Sequence, residues 1–112
     1  MQIHFDSPHG ALIVQLDGDL DHHSATQIRE EIDQSIIYYG ADKLVFDLKN
    51  LSFIDSSGIG IIMGRYKLMQ ERGGKVSITG INMRTDKLIN VSGLKKIVSV
   101  FNNIQDALGG LV

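Results

Sequence analysis

An apolar run, Ala11-Leu12-Ile13-Val14-Gln15-Leu16, predicts a strand, and a weaker strand over Ile3 to Phe5 precedes it across Ser7-Pro8-His9-Gly10, a good hairpin connection. The opening therefore reads as an antiparallel pair. Ile28, Ile32 and Ile36 then recur at helical spacing with charged residues between them, behind Ser24-Ala25-Thr26-Gln27, which reads as a capping box, and this helix should end near Tyr39-Gly40. Lys43-Leu44-Val45-Phe46-Asp47-Leu48 reads as a mostly buried strand, and Phe53-Ile54 as a very short continuation or a neighbouring strand. A helix from about Ser57 to Arg72 stops at Gly73-Gly74. Val76-Ser77-Ile78-Thr79 is a further strand, Arg84 to Val91 a helix stopped at Ser92-Gly93, Ile97 to Val100 a strand and Ile104 to Leu108 a terminal helix.

Strands that alternate with helices predict an α/β fold, a mixed and mostly parallel sheet with an N-terminal antiparallel pair, flanked by about four helices. No linker, repeat or low-complexity tract interrupts the pattern, so residues 1–112 are expected to form a single domain.

The most informative local feature is Leu51-Ser52-Phe53-Ile54-Asp55-Ser56-Ser57-Gly58-Ile59-Gly60, where an apolar, strand-like run breaks on Asp-Ser-Ser-Gly and continues as a glycine-rich helix. That step sets a hydroxyl at a helix start. Serine there either caps the helix with its own oxygen or accepts a phosphate that the helix N-terminus tolerates. Taken alone, capping is the commoner use, and either Ser56 or Ser57 fits it. Gly58, Gly60 and Gly64 follow, of which Gly60 and Gly64 share a face, although glycine inside a helix costs about 1 kcal/mol relative to alanine. Two readings compensate for that: close packing of the helix on the sheet, or the approach of another molecule's backbone to the first turn.

Composition narrows the classes. A chain of 112 residues buries roughly 65% of its extended surface, enough for one ordinary core. With no cysteine there is neither a disulfide framework nor a thiolate nucleophile, which fits a reducing compartment, and cytoplasm is the expectation. Met1-Gln2-Ile3-His4-Phe5-Asp6 lacks the features of a secretory signal, and no apolar run approaches the roughly 20 residues of a membrane span. With 11 Lys and Arg scattered among 13 Asp and Glu, a net charge of −2 gives nucleic acid no footprint.

Asp17, Asp19, Asp21, His22 and His23 invite a metal reading. The calcium-loop pattern fails, because His22 stands where its glycine belongs and Ile28 where its glutamate belongs, and adjacent histidines are expected to diverge. A polar loop between a strand and a capped helix is preferred. In a parallel sheet that loop lies at the same edge as other strand ends, so Asp21 could sit near Ser56. A phosphate-binding loop is excluded by the missing Gly-Lys-Ser/Thr ending, and a serine-hydrolase elbow by the missing Gly-x-Ser-x-Gly. His22 or His23 remains in principle a base in space.

Gly18-Asp19-Leu20-Asp21-His22-His23-Ser24-Ala25, the Leu51 to Gly60 run, Gly64-Arg65-Tyr66-Lys67 and Ser92-Gly93-Leu94 together resemble the anti-sigma factor antagonists, bacterial STAS domains, over essentially the whole chain. The Leu-Asp-His-His and Gly-Arg-Tyr-Lys segments look most like the sporulation branch, which opposes the sigma-F anti-sigma factor. The second motif position is serine where threonine is also common, which leaves Ser57 as a second hydroxyl. Asn82 to Asn90 and Asn102 to Val112 carry little family signal.

The resemblance implies a regulatory protein with no catalysis and no cofactor of its own, a monomer when free. Unphosphorylated, it would bind an anti-sigma factor loaded with ADP or ATP and displace the sigma factor held there. That partner is also a serine kinase that would phosphorylate Ser56, and a PP2C-type phosphatase would reverse it. Asp21 would lie beside the acceptor hydroxyl. The docking face would comprise Asp21, His22, His23, Asp55, Ser56, Ser57, Gly58 and Gly60. The alternatives are a general-stress antagonist or another STAS regulatory module, and, from the enzyme class, a small nucleotide-binding phosphoryl-transfer protein that labels itself from ATP.

Overall fold

In the computed structural model, which describes residues 1–110, the chain runs β1 (Gln2–Asp6), β2 (Ala11–Leu20), α1 (Ala25–Tyr39), β3 (Lys43–Asp47), β4 (Leu51–Ile54), α2 (Ser56–Glu71), β5 (Lys75–Thr79), α3 (Asp86–Ser92), a 3-10 turn (Leu94–Lys96), β6 (Ser99–Phe101) and α4 (Ile104–Gly110). The strands form one sheet in the order β1-β2-β3-β5-β6, with β4 paired to β2. Among the described residues only β1 and β2 pair antiparallel, joined through His9 and Gly10 at φ 52° and 79°, and the other pairings are parallel.

The period-2 alternation of a strand decides which side chains reach which layer. Leu12, Val14 and Leu16 of β2, Leu44 and Phe46 of β3 and Ile78 of β5 are fully buried in one core, closed over by Ile28, Ile32 and Ile36 of α1, Ile62 and Met69 of α2 and Ile89 of α3. The opposite residues, Ile13 and Val45, meet Ala107 of α4 in a smaller cluster. α1 ends where expected, on Gly40 at φ 60°, whose N–H reaches the carbonyls of Ile36 and Ile37.

One departure from the sequence expectation shapes the functional end. β2 does not stop at Leu16 but continues through Asp17-Gly18-Asp19 to Leu20, and its register shifts between Gly18 and Asp19. Gly18 sits at φ 104°, a backbone conformation closed to most L residues. That bulge lets β2 pair with β3 over Ala11–Gln15 and with β4 over Gly18–Leu20. β4 thus follows β3 along the same strand. The side-chain amide of Asn82 steadies the turn between them, lying 3.2, 3.2 and 2.9 Å from the carbonyls of Leu48, Lys49 and Leu51. Further along, the predicted strand Ile97 to Val100 begins later, at Ser99, because Leu94–Lys96 closes a 3-10 turn first.

Candidate functional site

Parallel pairing of Leu20 with Ile54 brings two loops to one edge, the one after β2 and the one after β4. The Asp55 N–H donates to the Leu20 carbonyl at 3.3 Å, and the Asp55 carboxylate then makes the local architecture. Its Oδ1 accepts from the N–H groups of Ser57 at 2.8 Å and Gly58 at 3.1 Å, while Oδ2 accepts from the His22 N–H at 3.0 Å. One side chain caps α2 and ties the β2–α1 loop to it.

This corrects the expectation that Ser56 or Ser57 caps the helix. A carboxylate one residue upstream reaches the second and third helical N–H groups, and as a charged acceptor it binds them more strongly than a hydroxyl would. Ser56 is the first residue of α2 and is exposed, and its hydroxyl makes no hydrogen bond among the described residues. It stands at the positive end of the helix dipole, a setting that tolerates added negative charge.

The β2–α1 loop is held by its own side chains. Asp21 Oδ1 accepts from the N–H groups of His23 at 2.9 Å and Ser24 at 3.1 Å, and the Ser24 hydroxyl donates to the Asp19 carbonyl at 3.0 Å. The predicted capping box is therefore absent, because Ser24 already has helical angles and its hydroxyl turns back into the loop. Asp21 follows Leu20, the strand partner of Ile54, and it is Asp55 that bonds across to the other loop. His22 and His23 are exposed, and their rings do not diverge but meet edge to face at 5.8 Å.

The N–H groups of Ser24 and His23, together with the nearby His23 charge and the Ser24 hydroxyl, hold the Asp21 carboxyl below its ordinary value of 3.8, against an opposing desolvation effect. A depressed folded value means that this contribution is complete above 3.8 and disappears as pH falls through the folded value. The His23 and Ser24 amide resonances are expected to titrate with a midpoint below 3.8, and Asp21→Asn, which keeps the acceptor, to abolish that titration with the loop in place. A midpoint at or above 3.8 would show that the carboxylate is not held.

The glycines of α2 divide. Gly58 is buried, and a Cβ there would lie 2.6 Å from the Leu20 carbonyl oxygen and 2.7 Å from Ile54 Cγ1. Its expected place on a docking face is thus corrected: it is the point where helix and strand backbones touch. Gly60 and Gly64 have nothing within 4 Å of such a Cβ, so close packing does not account for them. Gly60 is exposed and lines a groove of about 280 Å³ between the N-terminal halves of α1 and α2, with Ser57, Thr26, Arg29 and Arg65. Burial lowers the Arg65 proton affinity, Asp33 opposes that, and Arg29 lowers it further. Phe53 on β4 is 49% exposed and adds apolar surface close to Asp55. Nothing in the sequence distinguished Arg29 or Phe53, since their roles depend on which elements lie side by side.

Among the described residues no group of three or more His, Asp or Glu is placed to hold a metal ion, and no helix is long and apolar enough to cross a membrane. Residues 2–107 match the protein family described as the STAS domain. The chain is 41% identical to an anti-sigma F factor antagonist of Paenibacillus polymyxa over 108 residues, 96% of this chain and 92% of that one. It is 32% identical to an anti-sigma-B factor antagonist of Bacillus subtilis over 87 residues, 78% of each. Its fold is similar to that of Bacillus SpoIIAA in the phosphorylated form, with a TM-score of 0.75 at 24% identity over 99% of this chain and 100% of that one. The unphosphorylated form of SpoIIAA superposes with a TM-score of 0.77 at 21% identity, over 97% of this chain and 96% of that one.

Proposed function

We propose, from the premise that this chain belongs to the STAS domain family, that it is an anti-sigma factor antagonist switched by phosphorylation of Ser56. The observation that carries the reading is the Ser56 hydroxyl, exposed at the first residue of α2 while Asp55 does the capping. A hydroxyl with no structural duty can be modified without cost to the helix. A phosphate of about −1.5 to −2 charges at that position would be favoured by the helix dipole and would act on whatever docks there rather than on the fold. That SpoIIAA has a similar fold in its phosphorylated and unphosphorylated forms supports a switch without refolding.

In this reading the unphosphorylated chain binds the anti-sigma serine kinase, loaded with ADP or ATP, and frees the sigma factor. Asp21, His22, His23, Asp55, Ser56, Ser57 and Gly60 lie on or support the docking face. The kinase marks Ser56, a PP2C-type phosphatase removes the mark, and the chain works in the cytoplasm as a monomer when free. Sigma-F and the start of sporulation are the proposed target, supported by the higher identity to the anti-sigma F antagonist than to the anti-sigma-B one. The general-stress role is the second reading, favoured by the latter similarity.

Intact and peptide mass spectrometry after incubation with the kinase and Mg-ATP tests the switch, with a control lacking kinase. The expected result is a single phosphate on Ser56 that requires the kinase and is absent from Ser56→Ala. Phosphate on Ser57 would move the site, none would leave a binding module controlled elsewhere, and labelling without kinase would favour a self-phosphorylating protein.

A further inference from the structure

The groove between α1 and α2 holds two guanidinium groups, Arg29 and Arg65, and among the described residues no carboxylate lines it. Arg65 is the inner of the two. Its side chain is 12% exposed, and its Nε lies 3.0 Å from Asp33 Oδ1 in a contact too bent to be a hydrogen bond. Nε and Nη1 are both buried and make no hydrogen bond among the described residues. Such donors are costly to leave unmet, and a like charge on the facing helix adds to the strain. Gly60 keeps the wall between them open, since a Cβ there would meet nothing within 4 Å. Ser57 lines the end of the groove beside the proposed phosphorylation site.

We infer that this groove receives an acidic side chain of the docked anti-sigma kinase, its carboxylate gripped between Arg29 and Arg65. The inference rests on the reading of the chain as an antagonist and adds to it a specific contact and its chemistry. Charge complementarity selects the occupant: a planar carboxylate suits a guanidinium fork, and Arg29 and Arg65 bring two positive charges against the single Asp33 carboxylate that pairs with Arg65. The groove extends the contact from the two loops along α2 by two turns, from Ser57 to Arg65. Its glycine wall explains an interior helical glycine that packing within the chain does not require.

The test is the affinity of the unphosphorylated chain for the ADP-loaded kinase, measured at several salt concentrations for the wild type, Arg29→Gln, Arg65→Gln, Arg65→Lys and Lys67→Gln. Loss of a desolvated charge partner is expected to weaken binding by ~30-fold for Arg65→Gln, with a smaller loss for Arg29→Gln and a shallower salt dependence in both. Arg65→Lys should fall between, keeping the charge and losing the fork. Lys67, exposed and outside the groove, should change affinity by less than about twofold. Arg29 is exposed, so its replacement keeps the test sound even where Arg65→Gln loosens the helices. Wild-type binding with both glutamine variants unchanged overturns the groove assignment alone. No wild-type binding overturns the antagonist reading and the assignment with it. A loss seen with ATP-loaded but not ADP-loaded kinase would give the groove to the γ-phosphate and overturn the carboxylate.

Discussion

Replacing Ser56 by aspartate is expected to weaken binding to the anti-sigma kinase about a hundredfold while leaving the thermal midpoint almost unchanged. One like-charge pair about 5 Å apart at an effective dielectric of 20 costs roughly 3 kcal/mol, which is about a factor of a hundred in affinity. Within the folded chain the same charge meets opposing effects. It sits at the positive end of α2, where an acidic residue gains about 0.3–1 kcal/mol, and next to Asp55, which repels it. Stability should therefore move by no more than about 0.5 kcal/mol. Aspartate carries one charge where phosphate carries nearly two, so the measured loss is a lower bound on the switch. Calorimetry for binding and a melting curve for stability separate the two effects. Undiminished binding by Ser56→Asp would refute an electrostatic switch, and a large fall in melting temperature would mean that the helix start, not the interface, had been damaged.

The second large effect is expected at Gly58. Alanine there would gain about 1 kcal/mol of helix propensity, but its methyl would press on the Leu20 carbonyl oxygen at 2.6 Å and on Ile54 Cγ1 at 2.7 Å. The oxygen cannot easily retreat, because it accepts the Asp55 N–H. Overpacking of this kind costs about 1–3 kcal/mol and more against backbone, so a net loss of about 2 kcal/mol is expected, or roughly 8 °C in melting temperature. Moving α2 outward to relieve the clash would also stretch the bonds from Asp55 to Ser57, Gly58 and His22, so kinase binding should fall with stability. Gly60→Ala is the control, two residues away with open space around it. It should stabilise the chain by up to about 1 kcal/mol and still weaken docking, if the open groove is used. Urea or thermal unfolding of both variants decides this, and a Gly58→Ala chain as stable as the wild type would show that helix and strand can part freely.

The contrast between these glycines marks how far the chain could be read without its fold. Turn chemistry and periodicity located the hairpin at Pro8-His9-Gly10, the helix over Ile28, Ile32 and Ile36 and its Gly40 stop, since each depends only on residues a few positions apart. The extension of β2 through Asp17-Gly18-Asp19 escaped because polar residues and glycine signal a loop, and only pairing with β4 overrides that signal. The cap on α2 reads as serine for a similar reason. Serine, aspartate and glycine all suit an N-cap, and local preference alone does not rank neighbouring positions.

By itself the sequence determined the α/β class, the element order and the Asp-Ser-Ser-Gly step at a helix start, because hydrophobic period and capping residues act between near neighbours. Tertiary structure decided what each residue of that step does. Asp55 reaches His22, 33 positions earlier, only because β4 pairs with β2. Gly58 packs and Gly60 lies open only because one face of α2 rests on Leu20 and Ile54. Arg29 and Arg65 share a groove only because α1 and α2 lie side by side. Such contacts follow from strand register and helix packing, which the whole core sets at once and no short window of sequence contains.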